Sequence, residues 1–196
     1  IGLEIFLLVD DPWRIFLTTD HPNGAPFTSY PHLIRLLMDR SFRNSMLDTL
    51  NKDAAAVSTL RSIKPEYSLY DIAVMTRAAP ARILGLKNRG HLGPDAAADI
   101  TVYTEHANKE RMFEKPDYVF KDGELVARRG KITNVTWGAT HVVRPEYHPG
   151  IEKKLKSHFE NYQGMSMENF VIRESDFPND GRFRAQTHKC GKGRRA

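Results

Sequence analysis

Apolar positions along the chain fall into blocks of different period. Ile5 to Val9 is a continuous run of five apolar residues. Arg14-Ile15-Phe16-Leu17-Thr18-Thr19 is short and β-rich and stops at Asp20-His21-Pro22-Asn23-Gly24, which predicts a buried strand running into a loop. Pro22 and Pro26 exclude a helix or strand interior there. Pro31 suits a first helical position, and Leu33, Ile34, Leu37 and Met38 recur at helical spacing behind it. A second helix is predicted over Met46 to Leu60, with Leu47, Leu50 and Val57 inward. Ser68-Leu69-Tyr70-Asp71 has the form of a capping box, followed at helical spacing by Leu69, Ile72, Ala73 and Thr76. Pro80 predicts a new short turn from Ala81 to Leu84, closed by Gly85 in a left-handed conformation.

After Gly90 the period becomes two. Ile100 and Val102, Val119 and Phe120, Leu125 and Val126, and Ile132 and Val135 mark short strands. Asp122-Gly123 between two of them is a two-residue hairpin signal, because both residue types tolerate positive φ; Arg129-Gly130 offers a second turn. A last helix is predicted from Gly150 to Tyr162, with Ile151, Leu155, Phe159 and Tyr162 on one face. The resulting order is strand, helices, a small antiparallel β unit, then a helix. Trp13 and Trp137 read as packing anchors.

Composition narrows the function classes. The 196 residues are 27% charged and 40% hydrophobic, as in globular domains. No apolar run approaches the roughly 20 residues that span a bilayer, so no membrane is expected. A single cysteine excludes a disulfide framework and fits a reducing, cytoplasmic setting. The formal charge of +5 is local: Gly181 to Ala196 holds six Lys/Arg and no acid, leaving 23 basic against 24 acidic residues elsewhere. A nucleic-acid partner is therefore not expected, and the basic segment reads as a mobile, solvated tail, with an anionic partner as the alternative. The chain opens at Ile1 with neither an initiator methionine nor a basic leader, which predicts a piece of a larger protein.

Asp20 is the residue best placed for chemistry. An aspartate just past a buried strand has its backbone fixed while its carboxylate faces the open end, suited to a base or a metal ligand; a residue in that place also commonly caps its own loop. His21 could orient Asp20 or face substrate, or bond locally. Asn23 and Gly24 shape a turn, or Gly24 admits a close substrate. Thr28, Ser29 and Tyr30 could touch substrate, or cap the following helix. His188-x-Cys190 lacks two further ligands for zinc, and His141, His148 and His158 have no regular spacing.

The order of Asp20, Met75-Thr76-Arg77-Ala78-Ala79-Pro80-Ala81-Arg82-Ile83-Leu84-Gly85-Leu86 and Gly90-His91-Leu92-Gly93-Pro94-Asp95-Ala96-Ala97-Ala98-Asp99-Ile100-Thr101-Val102-Tyr103 resembles the C-terminal end of the amidohydrolase superfamily. Asp11-Pro12-Trp13-Arg14, the segment Thr18 to Pro31 and Lys115-Pro116-Asp117-Tyr118-Val119-Phe120-Lys121-Asp122-Gly123 are similar to one family within it. That family comprises the amidohydrolase-type subunits of formylmethanofuran dehydrogenase and of the related bacterial formyltransferase/hydrolase complex. The resemblance covers residues 1 to about 175.

The resemblance implies an α/β fold: the C-terminal part of a metal-dependent (β/α)8 barrel, followed by part of an antiparallel β-sandwich. It places the barrel end at residues 1–90, the sandwich portion at 91–140 and a helical extension at 141–180, before the tail at 181–196. It implies a centre of two divalent metals, usually zinc, of whose ligands only the last-strand aspartate, Asp20, lies in this chain. Asp20 would also be catalytic, His21 and Asn23 would contact substrate, and the reaction would make or break the formamide C–N bond of N-formylmethanofuran in one-carbon metabolism. The partners implied are the rest of the barrel and the other subunits, which alone carry a molybdenum or tungsten pterin. The alternatives are another amidohydrolase of dihydroorotase type, or a non-catalytic assembly module.

Overall fold

The protein is described from a computed structural model, over residues 2–173, 176 and 185–189. It divides into two compact units, Ile1–Val135 and Thr136–Ala196, each taken by itself below.

The first unit opens with helix α1 (Gly2–Leu8), into which the early apolar run folds, burying Leu7. A short 3-10 turn, Pro12–Arg14, follows, with Asp11 accepting from the Trp13 N–H. Helix α2 (Tyr30–Met38) forms behind Pro31 as its spacing predicts and buries Ile34 and Leu37. Ser29, at the position that precedes it, makes no side-chain cap, so the capping role for the polar residues before it is not realised.

The predicted helix over Met46 to Leu60 is corrected. Helix α3 (Arg40–Leu47) begins earlier, where the Asp39 carboxylate accepts from the Phe42 N–H. It stops at Leu47, and Asn51 caps a separate helix α4 (Lys52–Ala56). Two strong side-chain caps twelve residues apart each start a helix of their own, and one continuous helix cannot satisfy both. Leu47 is buried, but Leu50 and Val57 are 53% and 84% exposed, so the inward face holds only at the first of the three.

The capping box at Ser68 and Asp71 is realised, and it starts α5 (Leu69–Ala73). A π-helical turn (Val74–Ala78) carries the chain into α6 (Ala79–Ile83) without a break, so Pro80 sits in the first turn of α6. Gly85 closes it with φ 70°. The core gathers Leu7, Ile34, Leu37, Leu47, Leu60, Ile63, Ile72 and Met75 from these helices and the connection between α4 and α5.

The β unit is a four-stranded antiparallel sheet in the order β1 (Ile100–Val102), β2 (Tyr118–Lys121), β3 (Glu124–Arg128), β4 (Lys131–Ile132). Asp122 and Gly123 turn β2 into β3 with φ 49° and 86°, and Arg129 and Gly130 turn β3 into β4 with φ 50° and 74°. Val135 lies beyond the last strand. Arg89 pairs with Asp99 and Asp122, and the Asp122 N–H donates to Asp99 Oδ1 at 2.9 Å, fastening the hairpin to the loop ahead of β1. Helix α7 (Lys109–Glu114) docks the sheet region on α2: Glu110 accepts from Arg35 at 3.3 Å and contacts His32 Nδ1 at 3.2 Å.

One predicted element is absent as a strand. Ile15 has extended backbone, Ile15 and Leu17 pack onto the core, and residues 15–18 carry no strand assignment and pair with no described strand. A strand of a parallel barrel needs a neighbour on each side to satisfy its backbone. The α/β character is present; a closed barrel or a two-sheet sandwich is not seen among the described residues.

In the second unit, β5 (Thr140–Arg144) pairs in parallel with β6 (Ala185–Lys189). Within the segment expected to be a mobile tail, Gly181 to Ala196, Ala185–Lys189 forms this ladder with β5; residues 181–184 and 190–196 lie outside the described residues. The predicted terminal helix is α8 (Ile151–His158), continued by a π-helical turn, Phe159–Gln163. Trp137 is 58% exposed, and Trp13 lies with the Arg82 guanidinium 5.3 Å from its ring centre. Among the described residues no helix is long and apolar enough to cross a membrane.

Candidate functional site: the Asp20 turn

Residues 15–18 deliver Asp20 from the core to the surface. Ile15 and Leu17 fix one face by packing, and the Tyr30 hydroxyl donates to the Leu17 carbonyl at 3.5 Å. Thr19 is buried at 7% exposure, and the next residue, Asp20, is exposed. This change over one peptide comes from the backbone: Asp20 has φ 51°, the left-handed region that aspartate tolerates better than most residues.

The turn is closed by its own hydrogen bonds. The Gly24 N–H donates to the Asp20 carbonyl and the Ala25 N–H to the Thr19 carbonyl, both at 2.9 Å. The Asp20 N–H donates to Thr18 Oγ1 at 3.3 Å. None of these bonds uses the Asp20 carboxylate. The loop is therefore held by main chain and threonine, and the cap reading of Asp20 finds no support in its side-chain bonding.

His21 and Asn23 lie on the same turn and are exposed. The His21 ring stands edge-on to Phe27, with centroids 5.2 Å apart, and among the described residues no hydrogen bond joins it to the Asp20 carboxylate. The structure thus places Asp20, His21 and Asn23 in one short loop but couples neither of the others to Asp20 through a side-chain bond. Thr28 and Ser29 belong to a 3-10 turn, Phe27–Ser29, leading into α2. Phe27 itself, 61% exposed beside His21, is a site neighbour that sequence reasoning misses; an aromatic residue a few positions after a histidine-proline pair is a weak signal.

The metal expectation can be tested against the donors present. Among the described residues no three His, Cys, Asp or Glu side chains converge on one point. These residues do not by themselves fit a metal ion; Asp20 is the ligand that the family resemblance implies for this turn. In the second unit His141 Nδ1 lies 2.7 Å from His188 Nε2 with the rings stacked, a pairing across the parallel β5–β6 ladder that sequence spacing could not reveal. Cys190 lies outside the described residues.

Residues 3–127 match the model of the Amidohydrolase family. The chain is 39% identical over 184 residues to the A component of the formyltransferase/hydrolase complex Fhc of Methylorubrum extorquens, covering 93% of this chain and 34% of that protein. It is 36% identical over 186 residues to protein FwdA of Methanocaldococcus jannaschii, covering 89% of this chain and 33% of that protein. The crystal structure of the Methylorubrum extorquens formyltransferase/hydrolase complex FhcABCD with methylofuran is similar with a TM-score of 0.76 and 36% identity, over 97% of this chain and 35% of that one. The chain spans about a third of the length of these relatives.

Proposed function

This chain belongs to the amidohydrolase family, and from that premise we propose that it forms part of the hydrolase-type subunit of a formyltransferase/hydrolase or formylmethanofuran dehydrogenase complex, acting on a formamide C–N bond in one-carbon metabolism. Residues 1–90 correspond in this reading to the end of a (β/α)8 barrel and residues 91–140 to part of a β-sandwich. The partners are the remainder of that barrel and the other subunits. The observation that carries the reading is the exposed Asp20 carboxylate on a turn closed without it, in a chain 36–39% identical to two such proteins.

The chemistry assigned to this chain is proton transfer. In hydrolysis, water adds to the formyl carbon as the Asp20 carboxylate accepts its proton. The tetrahedral adduct then breaks at C–N, and the proton passes from Asp20 to the departing amine, leaving a primary amine and formic acid, which ionises to formate by giving its proton to the amine or to solvent. The reverse sequence condenses the two. A carboxylate not engaged in its own loop is available for both transfers. His21 and Asn23 flank it at the surface, where they contact the substrate. The two divalent metals expected of the complete subunit would draw most of their ligands from outside this chain, and Asp20 is the residue here that would join them.

Asp20→Asn in the complete enzyme tests this. It keeps the shape of the side chain and removes its basicity. Formate release from N-formylmethanofuran is expected to fall by about 10²–10⁴, with an unchanged melting temperature. Retention of more than about a tenth of the activity rejects the assignment.

A further inference from the structure

The turn contains a residue whose missing side chain sets the Asp20 backbone. A Cβ placed on Gly24 would lie 2.7 Å from the Thr19 carbonyl oxygen, 3.1 Å from Asp20 Cβ and 3.6 Å from Asp20 Oδ2. The first of these atoms is main chain and already accepts the hydrogen bond from Ala25. It cannot swing aside as the end of a flexible side chain could. Room for a methyl group at position 24 therefore requires the Thr19–Asp20 peptide to move, and the Asp20 carboxylate moves with it.

The surroundings confine that movement to the turn. Thr19 is held on the core side by its burial. The Gly24 N–H also donates to the Asp20 carbonyl, so residue 24 grips Asp20 from one side and crowds it from the other. No left-handed φ is involved at Gly24, so the need for glycine is one of space rather than conformation.

We propose that Gly24 is a positioning residue: it fixes the Asp20 carboxylate relative to the reacting formamide, and does not itself make room for substrate. This rests on the proton-transfer reading of Asp20 given above. Effects of misplacing a catalytic group by about 1 Å reach about 10²-fold.

The test is Gly24→Ala in the complete complex, beside Asp20→Asn, assayed by formate release from N-formylmethanofuran with kcat, KM and melting temperature measured for each. The expected result is a kcat reduced at least about tenfold, a KM within about twofold of the parent and an unchanged melting temperature. A kcat within about twofold of the parent overturns the proposal. So does a raised KM at unchanged kcat, which would make Gly24 a substrate-approach position. A melting temperature lowered by more than a few degrees, or failure to fold, also overturns it, because the crowding would then be borne by the fold. If Asp20→Asn stays active, the proton-transfer reading fails and takes this proposal with it. If Asp20→Asn is dead while Gly24→Ala is normal, the positioning role alone fails.

Discussion

Arg43 offers the most direct test of how the helical unit is held together. It sits on α3 at 1% exposure, and among the described residues no carboxylate is in ion-pair contact with it. Its Nη1 donates to the Leu36 carbonyl at 3.0 Å, and its Nη2 to the carbonyls of Ile63 and Pro65, each at 3.1 Å. One side chain thereby ties the last turn of α2 to the connection that precedes α5. Burial lowers its pKa from the usual guanidinium value, and Glu66 opposes that shift; the group remains a cation at neutral pH. Arg43→Met keeps most of the aliphatic volume and removes all three donors. Hydrogen bonds to charged groups are worth about 1.5–3 kcal/mol each, which sets a gross loss of about 5–9 kcal/mol. Relief of the buried charge returns several kcal/mol, and two of the three bonds are only part-buried, so water can replace them. The expected net destabilisation is about 2–4 kcal/mol, comparable with truncating a core leucine such as Leu37. Urea unfolding followed by circular dichroism measures it, as a lower midpoint at constant slope. Arg43→Lys, which can satisfy only part of the acceptor set, should fall between parent and Met. A Met variant within about 0.5 kcal/mol of the parent would refute the reasoning, since the carbonyls would then be satisfied without the guanidinium.

Two further outcomes follow from the first unit. Glu4 accepts from the Thr59 N–H and from the hydroxyls of Thr59 and Ser58, the latter at 3.1 Å, and these bonds hold its carboxyl down at about 2. Its folded pKa lies below the unfolded value of about 4.3, so its contribution is full above that value and is lost as pH falls toward about 2; the melting-temperature gap between parent and Glu4→Gln should shrink over that window, and a gap independent of pH would exclude the linkage. The amides of Ile15, Phe16 and Leu17 have no backbone partner among the described residues, so in the isolated monomer they should exchange hydrogen far faster than those of Ile34 to Met38; equal protection would show a pairing strand on this segment.

The sequence is most legible where a local rule decides the structure. The capping box at Ser68, the two hairpin turns and the helix behind Pro31 depend on residues within four positions, and each forms where its pattern predicts. It is least legible where two local signals compete. Asp39 and Asn51 are strong caps, yet the spacing of Leu47, Leu50 and Val57 suggests a single helix through both. A lone arginine such as Arg43 reads as part of a solvated face; its burial depends on carbonyls seven to twenty-two residues away. The β5–β6 ladder is hidden for the same reason, since its strands lie more than forty residues apart.

At the site, the type and placement of Asp20 are readable, but not what holds it. A short apolar run ending in Asp-His-Pro-Asn-Gly announces a strand end and a turn. The structure keeps the extended backbone of Ile15 and the inward packing of Ile15 and Leu17 while leaving the segment without ladder partners among the described residues. The geometry of Asp20 therefore does not come from a described sheet of this chain, as a strand-end argument assumes. It comes from the turn itself: the left-handed φ at Asp20, the two bonds from Gly24 and Ala25, and the empty space at Gly24 into which the Thr19 carbonyl fits. Packing of Ile15 and Leu17 onto the helical core sets where the turn begins, and the turn sets where the carboxylate points. The two jobs are separable. A parallel neighbour strand could add backbone bonds to residues 15–18 without altering the 19–25 closure, because its two backbone bonds are internal to the turn and Thr18 contributes to it only through its side-chain hydroxyl.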